Sequence, residues 1–389
     1  MHYKVKTVAL LGTFFVLLMP AWLWGQVESK NLMLFAGSYT DGQPADGIQI
    51  FQFEGKSGKL KGIGKVGGIV NPSFLTVSAN GKFLFACTDT KLEKEGSITA
   101  FAIDAFQGKL QRLGQQPSGG INPVYVSVHP TGNWIAVANY AEGTIATFPV
   151  DPKGNVGPYS QRITFTDSSV YKLRQEKSHP HAAVFSPDGR FLFVPDLGAD
   201  KIRVFAFEGE DSVPLTPLLQ NTVKTAPASG PRHLTFHPNG HFAYSIEELS
   251  GNLTVYGYAN GKLDSLQTLF ANANQQTIHS SADIHSSPDG HFIYVSNRGK
   301  DENTLAIFRV DLDTGLLTFV AHQSTLGEHP RNFCISPDGR FLIVANQVSG
   351  NLIVFKRNQD TGLLTKVGKV VGMKNPSSLW MMAYPEPKD

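Results

Sequence analysis

An all-β, seven-bladed β-propeller is expected from this sequence on three grounds. A hairpin motif recurs six times at a nearly constant spacing. Each copy is followed by two further strand-like segments, which makes four antiparallel strands per repeat. The two chain ends carry complementary parts of a seventh copy.

Each hairpin copy has a Pro or polar start, an alternating strand, a turn ending in Gly, and an aromatic-rich strand. The copies begin at Asn71, Asn122, His179, Gly230, Ser281 and His329. Their turn glycines are Gly81, Gly132, Gly189, Gly240, Gly290 and Gly339, separated by 51, 57, 51, 50 and 49 residues. Asn-Gly and Asp-Gly supply the positive φ angles of a tight hairpin, and a preceding Pro fixes entry to the turn. Third strands follow, such as GSITAFAI, NLTVYGY and NLIVFKR, and a fourth comes after a Gly-Lys-Leu or Gly-Leu-Leu turn. The seventh blade is expected to be split, with NPSSLWMMAY from the C-terminus as its first strand and LMLFAGSY and GIQIFQF from the N-terminus as its second and third. Pairing the two ends removes a free sheet edge.

Composition agrees with this. A hydrophobic content of 41% is enough for a substantial core, and 38 Gly with 23 Pro supply the many turns. The N-terminus reads as an export signal, with His2, Lys4 and Lys6 ahead of an apolar stretch at 8–19 and a boundary near Trp24-Gly25-Gln26. Residues 1–25 are therefore expected to be a signal peptide and 26–389 a single propeller, periplasmic or secreted. The apolar run is short for a membrane span, so an uncleaved anchor is the lesser alternative, and no Cys marks a lipoprotein. Of the 34 Lys and Arg, Lys4 and Lys6 lie in the leader, so the mature chain balances its 32 acids. That balance points away from nucleic acid or a membrane surface as partner. Cys87 and Cys334 lie in blades that are not neighbours and read as buried free thiols.

Because the repeat is internal, equivalent positions can be compared within one chain. Eight residues before each turn Gly stand Ser73, Val124, His181, Arg232, Ala282, Arg331 and, in the split blade, Ser377. Eight after stand Asp89, Tyr140, Leu197, Glu248, Arg298 and Gln347, with Tyr39 in the split blade. A hairpin starts and ends on the same side, so both sets ring one mouth of the central channel if the first strand is innermost. His181, Arg232, Glu248, Arg298 and Arg331 load that ring with charge, beside Tyr39, Tyr140 and Gln347. Asp283 and His285 join them from blade 5. The alternative is a solvated loop face; the coincidence of slots favours a site for a small anionic ligand, since Arg pairs well with carboxylate or phosphate. His129 and His237 read as ordinary turn residues on the far side, and Asp188, Asp289 and Asp338 as serving their turns. His179 and His181 are two apart on a strand, but a metal set would need further ligands such as Asp196 or Glu248, so a metal site is the minority reading. No Gly-rich phosphate loop, Cys nucleophile or G-x-S-x-G elbow is present, and no cofactor is implied.

These segments resemble the lactonase family of seven-bladed propellers, typified by propeller-type 6-phosphogluconolactonase. The resemblance runs along nearly the whole mature chain. It is carried by SHPHAAVFSPDG from Ser178, GPRH from Gly230, EEL from Glu247, ADIHSSPDG from Ala282 and HPRNF from His329. The fold is also similar to that of fungal carboxymuconate lactonizing enzymes, which form a lactone instead of opening one. The resemblance implies a metal-independent site at the channel mouth, with His181, Arg232, Glu248 and Arg298 in chemistry or substrate binding and Arg331, Asp283 and His285 at neighbouring positions. Typical sugar-phosphate lactonases work in the cytoplasm, so the export signal is a departure. The expected activity is hydrolysis of a sugar lactone, with His181 or Glu248 as base and Arg232 or Arg298 facing the developing oxyanion. A muconate-type cycloisomerase, a non-catalytic propeller binding a sugar acid or protein, and a metal-dependent lactonase are the rivals.

Overall fold

The structure is a computed structural model and describes residues 31–210, 212–274 and 279–385. The expected signal peptide lies outside the described residues. Alternation of apolar side chains folds the described chain into seven antiparallel sheets. Blade 4 shows the pattern: Pro231–Phe236, Phe242–Glu247, Asn252–Ala259 and Lys262–Phe270 pair in that order from the axis outward. Innermost strands of successive blades touch around the axis. Blade 7 is split as expected, with Pro376–Tyr384 innermost, then Asn31–Ser38, Ile48–Glu54 and Lys59–Val66. Eight residue pairs, from Asn31 opposite Tyr384 to Ser38 opposite Pro376, close the ring.

Blade 3 departs from the repeat. Its inner strand is only Val184–Phe185, preceded by an isolated pairing of Pro180 with Asp196. Pro180 has no N–H to give, and the Asp196 side chain takes the His179 N–H instead (2.8 Å). Its fourth strand is divided into Leu215–Pro217 and Val223–Lys224 by a 3₁₀ turn at Leu219–Asn221.

The core lies between blades. Tyr244, Ile246, Leu253 and Val255 of blade 4 pack on Ile284, Ile293, Val295 and Phe308 of blade 5, while Tyr294, Leu305 and Ile307 on the opposite face of blade 5 meet Phe333, Leu342 and Val344 of blade 6. Side chains two apart share a face, so each strand feeds both gaps. Cys87 and Cys334 are buried and unpaired.

The turn histidines do more than serve their turns, which corrects the expectation for them. His129 Nε2 bonds the Gly189 carbonyl of blade 3 (2.9 Å), and His237 Nε2 bonds the Gly290 carbonyl of blade 5 (2.8 Å). Each ring crosses to the next blade's turn, where the sequence shows only a local motif. The glycines they reach are constrained twice, by a left-handed backbone and by the ring above them. At Gly290 (φ +75°) a Cβ would sit 2.7 Å from His237 Nε2, whereas at Gly132 (φ +80°) it would meet nothing within 4 Å. Both substitutions by Ala are expected to lose roughly 1–2 kcal/mol to backbone strain. Gly290→Ala should lose about 1 kcal/mol more as the inter-blade bond breaks. Urea midpoints of the two variants check this; equal shifts would mean that the histidine link contributes nothing.

Candidate active site

The start of the inner strand builds the site. In blades 2, 4, 5 and 6 the pairing slips there, between Pro123 and Tyr125, Pro231 and His233, Ser281 and Ile284, and Pro330 and Asn332. The skipped residues are bulges, and they include Arg232 and Arg331. A bulge re-aims a side chain and lets neighbours in sequence face the same way. Arg232 and His233 accordingly meet, with Nη1 3.0 Å from Nε2.

Glu248 is the centre of the ring. Its Oε1 accepts from Arg174 Nη2 (2.7 Å), and its Oε2 accepts from Arg232 Nε (2.8 Å) and Arg298 Nη2 (3.1 Å). Burial alone would raise this carboxyl, but Arg298, Arg232 and Arg174 outweigh it and hold it at about 2. The arginines are held from behind. Arg298 Nε donates to the Ser280 carbonyl (3.2 Å) and its Nη1 lies 3.3 Å from His329 Nε2. Burial and the Arg232 and Arg331 charges lower the Arg298 guanidinium to about 9, still charged at neutral pH. Arg232 also donates from Nη1 to the Ala282 carbonyl, which leaves Nη2 as its one nitrogen without a protein partner among the described residues.

His181 is buried, and its Nδ1 has no partner. Its ring stands edge-on to Tyr140 (5.4 Å) and His233 (5.3 Å). Burial, with Arg232, His233 and Arg331 nearby, holds its pKa well below the usual histidine value, so the ring is neutral at pH 7. Tyr140 stacks on His179 (4.3 Å), whose two nitrogens face the Tyr140 carbonyl (2.8 Å) and Glu176 (3.0 Å). Asp196 is taken up by Ser178, the His179 N–H and Arg203, so the metal set considered above does not assemble around it.

Two expected ligand-binding residues, Asp283 and His285, are bonded to each other. Asp283 is buried, and both its oxygens are occupied. Oδ1 accepts from His233 Nδ1 (2.8 Å) and Oδ2 from His285 Nε2 (3.0 Å), Asn332 Nδ2 (2.5 Å) and the Phe333 N–H (3.3 Å). Burial opposes its charge, but His285 and these hydrogen bonds keep it ionised. Asp283 fixes His233 with Nδ1 protonated, so that His233 Nε2 accepts from Arg232. Burial and Arg232 push the His233 ring down to about 4, consistent with that neutral tautomer. Burial works against a charge on His285, but Asp283 more than offsets it and raises its pKa.

The axis is narrow below the ring. Phe74 stacks on Tyr125 (4.2 Å), and His233 stands edge-on to both. A cavity of about 10 Å³ remains among Ser73, Val124, Arg232, Arg331 and Asn332, room for roughly one water. A sugar-sized ligand must therefore sit above, in the mouth. Tyr39 Oη and Gln347 Oε1, like His181 Nδ1, are buried there without a partner.

The ring thus joins His181, Arg232, Glu248, Arg298, Arg331, Tyr39, Tyr140 and Gln347. Sequence comparison missed Arg174, Lys91, His233 and His329. Arg174 falls inside the 57-residue spacing, whose excess over its neighbours was the available signal. His329, in a left-handed backbone (φ 62°), sits where other blades use Asn71, Asn122, Gly230 and Asn375.

The described chain is a propeller whose axial mouth is ringed by basic side chains sharing the Glu248 carboxylate. The family described as "Lactonase, 7-bladed beta-propeller" matches residues 33–381, and the chain belongs to it. Among its relatives is a 6-phosphogluconolactonase of Formosa agariphila, 40% identical over 351 residues that cover 90% of this chain and 99% of the relative. The 6-phosphogluconolactonase of Bacillus subtilis is 32% identical, covering 88% and 96%. The solved periplasmic gluconolactonase of Pseudomonas aeruginosa superposes with a TM-score of 0.86 at 38% identity, covering 91% of this chain and 99% of that one.

The Glu248 carboxyl is depressed in the folded state, so its contribution to stability is full above the ordinary carboxyl value near 4.5 and is lost as pH falls toward 2. Glu248→Gln should cost roughly 3–5 kcal/mol at neutral pH, because three guanidiniums lose their counter-charge. It should also flatten the fall of unfolding free energy between those pH values. Denaturant titrations of both proteins across pH 2–6 measure each effect.

Proposed function

We propose that this chain hydrolyses a sugar lactone to its sugar acid, as a 6-phosphogluconolactonase-like enzyme. The observation that carries the reading is the charge of the mouth. Arg174, Arg232 and Arg298 share the Glu248 carboxylate, and Arg331 and Lys91 stand over the Tyr39 ring with no anionic partner among the described residues. Such a surplus suits an anionic substrate and the carboxylate product. The named relatives support the reaction class.

The chemistry follows from which groups are free. Glu248 accepts three guanidinium bonds and sits at about 2, which suits positioning arginines and not accepting a proton. His181 is neutral and unpartnered, so it takes the proton from water as the water oxygen attacks the lactone carbonyl. The unpartnered Arg232 Nη2 supplies N–H donors to the oxyanion, ahead of Arg298, whose nitrogens are each already engaged. As the tetrahedral intermediate collapses, the bond from carbonyl carbon to ring oxygen breaks. The ring oxygen receives the proton from His181, leaving a hydroxyl and a carboxylic acid that ionises. Tyr39, Tyr140 and Gln347 line the mouth for the sugar hydroxyls.

Export is part of the same proposal. The basic and apolar leader and the likeness to a periplasmic gluconolactonase support a periplasmic or secreted enzyme. No helix among the described residues is long and apolar enough to cross a membrane.

The deciding assay is acid release from 6-phosphogluconolactone and from gluconolactone above spontaneous hydrolysis, with and without a chelator. Turnover that survives the chelator is expected; no turnover of either lactone would refute the proposal. His181→Ala should lower kcat about 10²–10⁴-fold while the fold is retained. Because His181 is held far below 6.5, kcat/KM of the wild type should stay level from pH 8 down through 6. A drop centred near 6.5 would point to another base.

A further inference from the structure

The substrate can be narrowed further, on the lactonase reading of the mouth, by the two cations that Glu248 does not neutralise. Arg331 has no carboxylate or carbonyl partner among the described residues. Its guanidinium carbon lies 5.4 Å from the centre of the Tyr39 ring. Lys91 Nζ lies 4.0 Å from the same centre, likewise without an anionic partner among the described residues.

Lys91 is placed there by its backbone. It follows the second strand of blade 1, Phe83–Thr88, in a left-handed conformation (φ 58°). Its N–H is held by Asn122 Oδ1 of blade 2 (3.2 Å). A lysine in that conformation costs about 1–2 kcal/mol, so the strain is consistent with a requirement to aim the side chain. The equivalent positions in the other blades hold Asp41, Glu142, Ala199, Ser250, Lys300 and Ser349. Lys91 is exposed, and partial burial of its ammonium with the Arg331 and Arg298 charges lowers it to about 8, so three cations face one another here. The Tyr39 hydroxyl, buried and unpartnered beneath the two cations, adds a neutral donor.

We infer that Lys91 and Arg331, set on the Tyr39 ring, form an anion clamp that selects lactones bearing a phosphate or carboxylate over neutral ones. Lys91 is then a specificity-determining residue, acting on a group remote from the reacting carbonyl, and its contribution appears mainly in KM.

The test compares wild type with Lys91→Met and Lys91→Arg on 6-phosphogluconolactone, a glucaric acid monolactone and neutral gluconolactone. The ratio of kcat/KM for the charged to the neutral lactone should fall about tenfold or more in Lys91→Met, through KM, as expected for loss of one charge-assisted contact. Lys91→Arg should restore most of it. The charged lactone that suffers more identifies the anion. An unchanged ratio in Lys91→Met overturns the clamp while leaving lactone hydrolysis standing. Calorimetric titration with 6-phosphogluconate and gluconate needs no turnover and separates the two ideas. Lys91-dependent preference for 6-phosphogluconate in a protein that opens no lactone would keep the clamp and remove the hydrolase. Equal binding of both acids by wild type and Lys91→Met would remove the clamp.

Discussion

Pairing of the two chain ends in one sheet closes the ring, and the axial site follows from that closure. The innermost strand of blade 7 comes from the C-terminus and its neighbour from the N-terminus, so backbone pairing of Pro376–Tyr384 with Asn31–Ser38 joins the two ends. Once closed, seven inner strands converge on one axis, and their side chains have no other place to go. Phe74, Tyr125 and His233 fill the axis below, and the bulged starts of the strands turn Arg232 and Arg331 toward the mouth above. The mouth is thus a product of closure, because its residues come from all seven blades, from Tyr39 of blade 7 and Lys91 of blade 1 to Arg331 of blade 6.

Closure also brings like charges together, and Glu248 makes that tolerable. Burying a guanidinium without a partner is costly, and buried Arg232 and Arg298 share this carboxylate with the partly exposed Arg174. A fully engaged carboxylate holds its arginines in fixed positions, which is what stabilising a developing oxyanion requires. Behind them Asp283 orders His233, and His233 in turn receives an N–H from Arg232. In the proposed reaction the chemistry falls to the groups that this network leaves free, His181 and the Arg232 Nη2. In the proposed clamp, Lys91 and Arg331 over the Tyr39 ring supply the charge that meets the ligand's anion.

Much of this was legible in the chain. The spacing of Gly81 through Gly339 gives the blades, and the strand segments at both ends give the split blade, because a repeat that must close leaves its signature at its ends. Counting from the turn glycines also reaches most of the ring, since equivalent residues of a repeat occupy equivalent places. It does not tell which slot residues are available to a ligand. Asp283 carries the charge of a ligand-binding residue but spends both oxygens on its neighbours, and His129 and His237 carry a turn's pattern but cross to the next blade.

The all-β repeat, the number of blades and the side of the ring that carries charge are readable from the chain alone, because these depend on local periodicity and on turn chemistry within each repeat. Tertiary structure alone decided that Arg174 reaches Glu248 across 74 positions of chain, that Lys91 shares the Tyr39 ring with Arg331, and that His181 stands neutral among cations. Those outcomes rest on burial and on distances between blades, and both exist only after the ring has closed.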